Sequence, residues 1–236
     1  MSKIHNLANL SKIWILWSNS NGVLTNTYFF DWVNDYIVRN ASDAANLTAT
    51  TSVVMSCWCK PNVDSVDTAI AQPLISLPFC YTHIRNTSNF LTVRFDNAWT
   101  RNSFTALWSW FRDKVHIIWV VQNNGDTTFT TKIYVNWILK DSDNYAVWPS
   151  SAIDAIPLIW KRSTGYFSWN IRDARVYTGT ITNADALTIY NGWEPSTAVK
   201  YLQYWPENGE VGTNANDISP NNRDGTLNGW VTRTFI

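Results

Sequence analysis

The chain is poor in residues that break bonds. Cleaving a glycosidic bond takes two carboxylates about 5 to 9.5 Å apart, one of them kept protonated by a raised pKa. The three glutamates, Glu194, Glu207 and Glu210, all fall in the C-terminal connector and loop, where no strand fixes their spacing. His5, His83 and His116 have no serine or cysteine nucleophile at a recognisable spacing, and no G-x-S-x-G turn is present. His116, inside Val115-His-Ile-Ile118, reads as a structural histidine of a strand. Asp173 lies near Arg172 and Arg175 and reads as a member of a surface ion pair. Neither G-x-x-x-x-G-K-[ST] nor G-x-G-x-x-G occurs, so no phosphate cradle is visible. These absences point away from an enzyme.

Metal chemistry has two candidate sites. Cys57, Cys59, Cys80 and His83 are the right ligand types for zinc, yet C-x-C along a strand is an atypical zinc spacing. Side chains two apart on a strand also point the same way, in poor geometry for a disulfide. Free core thiols are therefore expected. Asp217, Asn221, Asn222 and Asp224 cluster oxygen donors of the kind calcium takes, with Asp217, Asn222 and Asp224 as its candidate ligands. The simpler reading of the same cluster is a turn whose Asn and Asp side chains cap their own backbone.

Aromatic side chains offer a different chemistry. Sugar rings present apolar C–H faces that stack on exposed Trp or Tyr, while neighbouring polar groups orient the hydroxyls. Trp99, Trp108, Tyr145 and Trp148 fall in segments that read as loops or strand ends, close to Arg101, Asn102 and Asn144. They are the candidate ligand-binding residues, with core packing as the alternative for each.

The elements that must hold these groups are short. β-Rich runs bounded by Asn, Asp, Ser, Gly and Pro recur at Tyr28 to Val38, Ser52 to Lys60, Phe90 to Phe95, Val115 to Val121, Thr128 to Val135 and Ala174 to Tyr177. That is the pattern of a sandwich of many strands. In the second run both alternating faces are mostly apolar, which predicts a central strand that is core and not site. One helix is expected near 183 to 191, opened by the capping box Thr182-Asn-Ala-Asp185 and closed at Asn191-Gly192.

At 236 residues and without a linker-like stretch, residues 1 to 236 read as one domain. Lys plus Arg (18) equals Asp plus Glu (18), so no net field draws the chain to nucleic acid or an anionic membrane. The apolar runs are far shorter than the roughly 20 residues of a membrane-spanning helix. The first residues, Met1 to Lys12, lack the unbroken apolar stretch of a signal peptide.

Tyr166-Phe-Ser-Trp-Asn-Ile-Arg-Asp-Ala-Arg-Val-Tyr177 followed by Thr180 to Tyr190 resembles the C-terminal signature of laminin-G-like, concanavalin A-like sandwiches. Phe29-Phe-Asp-Trp-Val-Asn-Asp-Tyr36, Ser56-Cys-Trp-Cys-Lys-Pro61, His116-Ile-Ile and Tyr134-Val-Asn136 resemble earlier strands of that family, in the family's order. The resemblance implies an all-β, two-sheet antiparallel sandwich of jelly-roll type. It also implies a non-catalytic recognition domain for a glycan or glycosylated surface; many members bind calcium. The alternative is a structural, decoration or fibre element of a virion or surface assembly, with self or other surface proteins as partners. A glycoside hydrolase is disfavoured, because no E-x-D-x-x-E strand is present. Either role suits a virion surface or an extracellular location. The segment 201 to 229 resembles one that usually opens such domains. It is expected to return beside the N-terminal strand as a closing strand and loop.

Fifteen tryptophans stand beside nine glycines, an odd ratio for a turn-rich β protein. Trp32, Trp137 and Trp169 occupy positions where the resembling family has glycine, and Trp160 is a fourth candidate. Several bulky residues in left-handed turns would cost about 1–2 kcal/mol each. The reading is that the source decodes UGA as glycine. The suspect side chains are then expected at exposed turns with positive φ, and are not assigned to sugar binding.

Overall fold

The computed structural model describes residues 27–31, 36–39, 52–61, 72–77, 80–87, 90–96, 101–107, 114–146, 158–159, 161–162, 165–166, 168–196, 200–205, 214–215, 224–228 and 232–234. In chain order the strands are β1 (Thr27–Asp31), β2 (Tyr36–Arg39), β3 (Val53–Pro61), β4 (Gln72–Leu77), β5 (Cys80–Thr87) and β6 (Phe90–Asp96). Then follow β7 (Arg101–Leu107), β8 (Val115–Asn123), β9 (Phe129–Val135), β10 (Ile138–Tyr145), β11 (Leu158–Ile159), β12 (Lys161–Arg162) and β13 (Gly165–Tyr166). The last are β14 (Ser168–Thr178), β15 (Lys200–Trp205), β16 (Asn214–Ala215), β17 (Gly225–Asn228) and β18 (Thr232–Thr234), with helix α1 (Asn183–Tyr190) between β14 and β15.

These strands make an all-β antiparallel sandwich. The first sheet runs β10-β9-β8-β3-β14, and beyond β14 its edge divides: β1 pairs with the first half of β14 and β15 with the second, while β18 lies outside β1. The second sheet has the order β16-β17-β2-β11-β4-β5-β6-β7, and β12 pairs with β13 apart from both. Tyr28 to Val38, expected as one strand, is instead two strands in different sheets, β1 and β2. Residues 32–35, between them, lie outside the described residues. The closing segment also divides between sheets. β15 pairs with β14, β17 with β2, and β18 with β1.

Strand β3 lies between β8 and β14, and Val53 to Cys59 are buried on both faces. One face, with Met55, Cys57, Ile117, Trp119, Ile133 and Val176, is turned to the interior between the sheets. The other carries Val54, Ile118, Val120, Tyr134 and Tyr177, on which α1 lays Ala186 and Ile189. The helix starts where expected. Thr182 accepts from the Asp185 backbone N–H while the Asp185 carboxylate accepts from the Thr182 N–H at 2.9 Å, so two otherwise orphaned donors are satisfied. It ends at Gly192, whose φ of +80° suits a residue without Cβ. The N–H groups of Gly192 and Trp193 return to Ile189 and Thr188 at 3.0 Å, a Schellman closure.

Candidate functional site

Antiparallel register lays out the helix side of the first sheet as rows of neighbours. Val120, Val54 and Tyr177 form one row, then Ile118, Ser56 and Arg175, then His116, Trp58 and Arg172. One step further Lys60 pairs with Asn170, and Lys114, directly before Val115 of the Cys59–Val115 pair, continues the row beside Lys60. Helix α1 covers the first rows and stops at Tyr190. Past its end Lys60, Lys114, Asn170, Arg172 and Tyr190 are all half-buried.

Aromatic rings make the floor and wall of this ledge. Tyr190 lies 5.2 Å from Trp58 and 5.7 Å from His116, ring centre to ring centre, and Trp58 lies 5.0 Å from His116. Tilted pairs at these separations contribute about 0.5–1.5 kcal/mol each beyond area burial. Lys114 Nζ is 5.9 Å from the Trp58 ring centre, within cation–π range. Burial and the charge of Arg172 lower the Lys114 pKa, while burial raises that of Tyr190. His116 is fully buried, and among the described residues neither ring nitrogen has a hydrogen-bond partner. Burial pushes its pKa down to about 3, against the opposing pull of Asp173 and with help from Arg175 and Arg172. It is a neutral structural ring at ordinary pH, as its strand context suggested.

The ledge is braced from below by a β-bulge. Between Arg172 and Arg175 the register of β14 against β3 shifts, so that Asp173 and Ala174 together face Cys57. Asp173 takes φ +59°, a conformation Asp tolerates better than most residues. This corrects the surface ion pair expected from the sequence: Asp173 and Arg175 are 8% and 2% exposed, because the bulge turns the carboxylate inward to the guanidinium.

The β9–β10 hairpin forms the outer lip. Asn136 and Trp137 have φ +48° and +62°, the signature of a two-residue type I′ turn. The Asn136 side chain accepts from the His116 N–H at 3.0 Å, and its own N–H donates to the His116 carbonyl at 2.9 Å. That tie brings Trp137 against Tyr190, 4.6 Å between ring centres. Trp137 is 39% exposed, so the expected exposed turn with positive φ is found there. Trp169 differs: it lies inside β14, paired with Phe30 and Pro61, not at a turn. Trp32 and Trp160 lie outside the described residues.

Of the residues singled out beforehand, Tyr145 is half-buried and stacks on Phe129 at 5.1 Å, with its hydroxyl donating to Asp143 at 3.3 Å. Burial, then Asp143, pushes its pKa up to about 12. It packs the sandwich edge. Trp99, Trp108 and Trp148 lie outside the described residues, as do Asp217 and Asn222, while Asp224 is exposed just before β17. Cys57 and Cys59 are free and buried, and among the described residues no three His, Cys, Asp or Glu groups converge as a metal site. No described helix is long and apolar enough to cross a membrane.

Sequence reasoning placed β3 in the core, where its burial puts it, and missed the ledge beside it. Trp58 and His116 are far apart in the chain and meet only through β3–β8 register. The available signal was the polar ending of three strands, Lys60, Lys114 and Asn170-Ile-Arg172, at one end of apolar runs.

No family model matches the sequence, and no curated protein matches it. Among solved structures the chain is similar to the binding domain of botulinum neurotoxin serotype D, at 15% identity and TM-score 0.46 over 62% of this chain and 39% of that one. It is similar also to the binding domain of botulinum neurotoxin DC in complex with rat synaptotagmin II, at 15% identity and TM-score 0.48 over 77% and 44%. A third is domain 4 of a GH43 extracellular arabinanase from Geobacillus stearothermophilus, in complex with arabinotriose, at 15% identity and TM-score 0.42 over 61% and 68%. The chain spans about two fifths of the length of the two neurotoxin domains it matches.

Proposed function

We propose that this chain is a non-catalytic domain that recognises carbohydrate at the ledge beyond the end of α1. The observation that carries this reading is the Tyr190–Trp58–His116 ring cluster lying beside the half-buried Lys60, Lys114, Asn170 and Arg172. The half-buried Tyr190 ring, backed by the buried Trp58 and His116, offers a face for sugar C–H groups, and the surrounding donors suit ring hydroxyls. The rings are held by one another and by strand register, so little side-chain freedom is lost on binding. Such a partner is met on the outside of a cell or particle. A glycan array tests the reading: a defined set of glycans should bind the parent chain and lose binding to Tyr190→Ala. Silence across the array, or identical binding by that variant, overturns it.

A second reading is favoured by exposed apolar side chains at the lip and helix, Trp137, Ile138, Leu139, Leu187 and Trp193. They suit a structural element that assembles with itself or with other surface proteins, as on a virion. Concentration-dependent self-association on sizing together with a silent array would favour this reading.

A further inference from the structure

We infer that the Asp173–Arg175 pair is a positioning device for the ledge, setting its helix residue Tyr190 against its sheet residues Asn170 and Arg172. The inference rests on the carbohydrate reading above and adds to it two residues that touch no ligand, since both are buried. The sheet half of the ledge depends on the bulge. Along an undistorted strand alternate residues face the same side, so residues three apart, such as Arg172 and Arg175, would point to opposite sides. Here Arg172 pairs with Trp58 and Arg175 with Ser56, two residues on the helix side of β3, because Asp173 and Ala174 are taken up together opposite Cys57. One extra residue thus keeps Asn170 and Arg172 on the face that carries Arg175 and Tyr177. The Asp173 backbone has φ +59°, and both its carboxylate oxygens accept from Arg175, at 3.0 and 2.7 Å, which holds the bulge from its own strand.

The helix half depends on the same guanidinium. Arg175 donates to the Tyr177 hydroxyl at 3.3 Å and to the Trp193 carbonyl at 3.4 Å. Tyr177 belongs to the cluster on which α1 lays Ala186 and Ile189, and the Trp193 N–H closes on the Thr188 carbonyl at 3.0 Å. The arginine therefore holds α1 both through the sheet beneath it and through the chain just past Tyr190. The Asp185 carboxylate makes a second tie to that chain, accepting from the Ser196 N–H at 3.0 Å. Tyr190 is thereby set 5.2 Å from Trp58, the residue opposite Arg172. A planar fork of five N–H donors can serve all these acceptors at once, whereas a lysine has a single nitrogen.

Two variants test the inference on the strongest-binding glycan from the array. Arg175→Lys keeps a charge for Asp173 but cannot hold the carboxylate and the Trp193 carbonyl together. Asp173→Gly with Arg175→Met removes the clamp without stranding a charge. Affinity is measured on folded protein, well below each melting temperature, while NMR follows the ring resonances of Tyr190 and of Tyr134, whose hydroxyl donates to Asn183 at 3.0 Å at the other end of α1. Each variant should lose affinity by about tenfold or more and shift the Tyr190 resonances, with those of Tyr134 unmoved. Either variant decides the matter if the other does not fold. A pair that served stability alone would lower the melting temperature and leave the affinity of the folded protein unchanged. That result overturns the inference and leaves the carbohydrate reading standing, as does lost affinity with unmoved Tyr190 resonances. A parent chain silent across the array overturns both.

Discussion

Arg175 grips Asp173 with both arms, Nε to Oδ1 at 3.0 Å and a terminal nitrogen to Oδ2 at 2.7 Å, across a bulge that buries the pair. Its other terminal nitrogen reaches the Tyr177 hydroxyl at 3.3 Å and the Trp193 carbonyl at 3.4 Å. One guanidinium therefore joins the bulge of β14 to the chain leaving α1. Removing one partner strands the other charge: Asp173→Ala or Arg175→Met alone should cost about 3–5 kcal/mol in urea unfolding. Asp173→Gly with Arg175→Met should recover much of that loss, since glycine accepts the positive φ and no lone charge remains. A double variant as unstable as the singles would show that the pair itself, and not its isolation, carries the stability.

Relief of backbone strain should be measurable at Trp137. Trp137→Ala and Trp137→Gly remove the same ring, but only glycine takes φ +62° without Cβ cost. The glycine variant should be the more stable of the two by about 1 kcal/mol. Equal stability would show that the turn is unstrained. Because the sugar-facing ring is Tyr190 and not Trp137, Trp137→Gly should also leave glycan binding intact. Sequencing the gene completes the point: UGA at codon 137, with glycine in the native protein by mass spectrometry, is the expected result, and UGG would refute the recoding.

His116 sets a pH dependence whose sign is fixed by its burial. Its pKa in the folded chain is about 3, against an ordinary 6.5. Between those values the unfolded chain binds one more proton. The contribution to stability is therefore complete above about pH 6.5 and is lost on acidification, by about 1.4 kcal/mol per pH unit. His116→Phe should flatten the stability profile between about pH 6 and 4 by one proton's slope. An unchanged profile would mean the imidazole already has access to protons.

The closing segment should be needed for solubility. β15 and β17 cover edges of β14 and β2, so deleting 201 to 227 should expose both edges and cause aggregation. A soluble, unaltered monomer would show the segment to be an accessory.

Much of the architecture was legible along the chain. Alternation and length marked β3, β6, β8 and β9, and the Thr182 to Asp185 capping box with Asn191-Gly192 bounded α1 closely, because those signals are local. The ledge was not legible for the opposite reason. With both faces of β3 apolar, nothing local says which face receives the helix or where the helix stops covering it. The inward turn of Asp173 was hidden as well. Arg172-Asp-Ala-Arg175 looks like an exposed polar strand unless the bulge opposite Cys57 is known, and that bulge is a property of two strands together.

The most direct test of the account follows backbone amide shifts of the isotope-labelled chain while the strongest-binding glycan from the array is titrated in. Shifts concentrated at Lys60, Lys114, His116, Asn170, Arg172 and Tyr190, and absent in Tyr190→Ala, are the predicted result. Saturable shifts confined to another surface, with the ledge undisturbed, would contradict it.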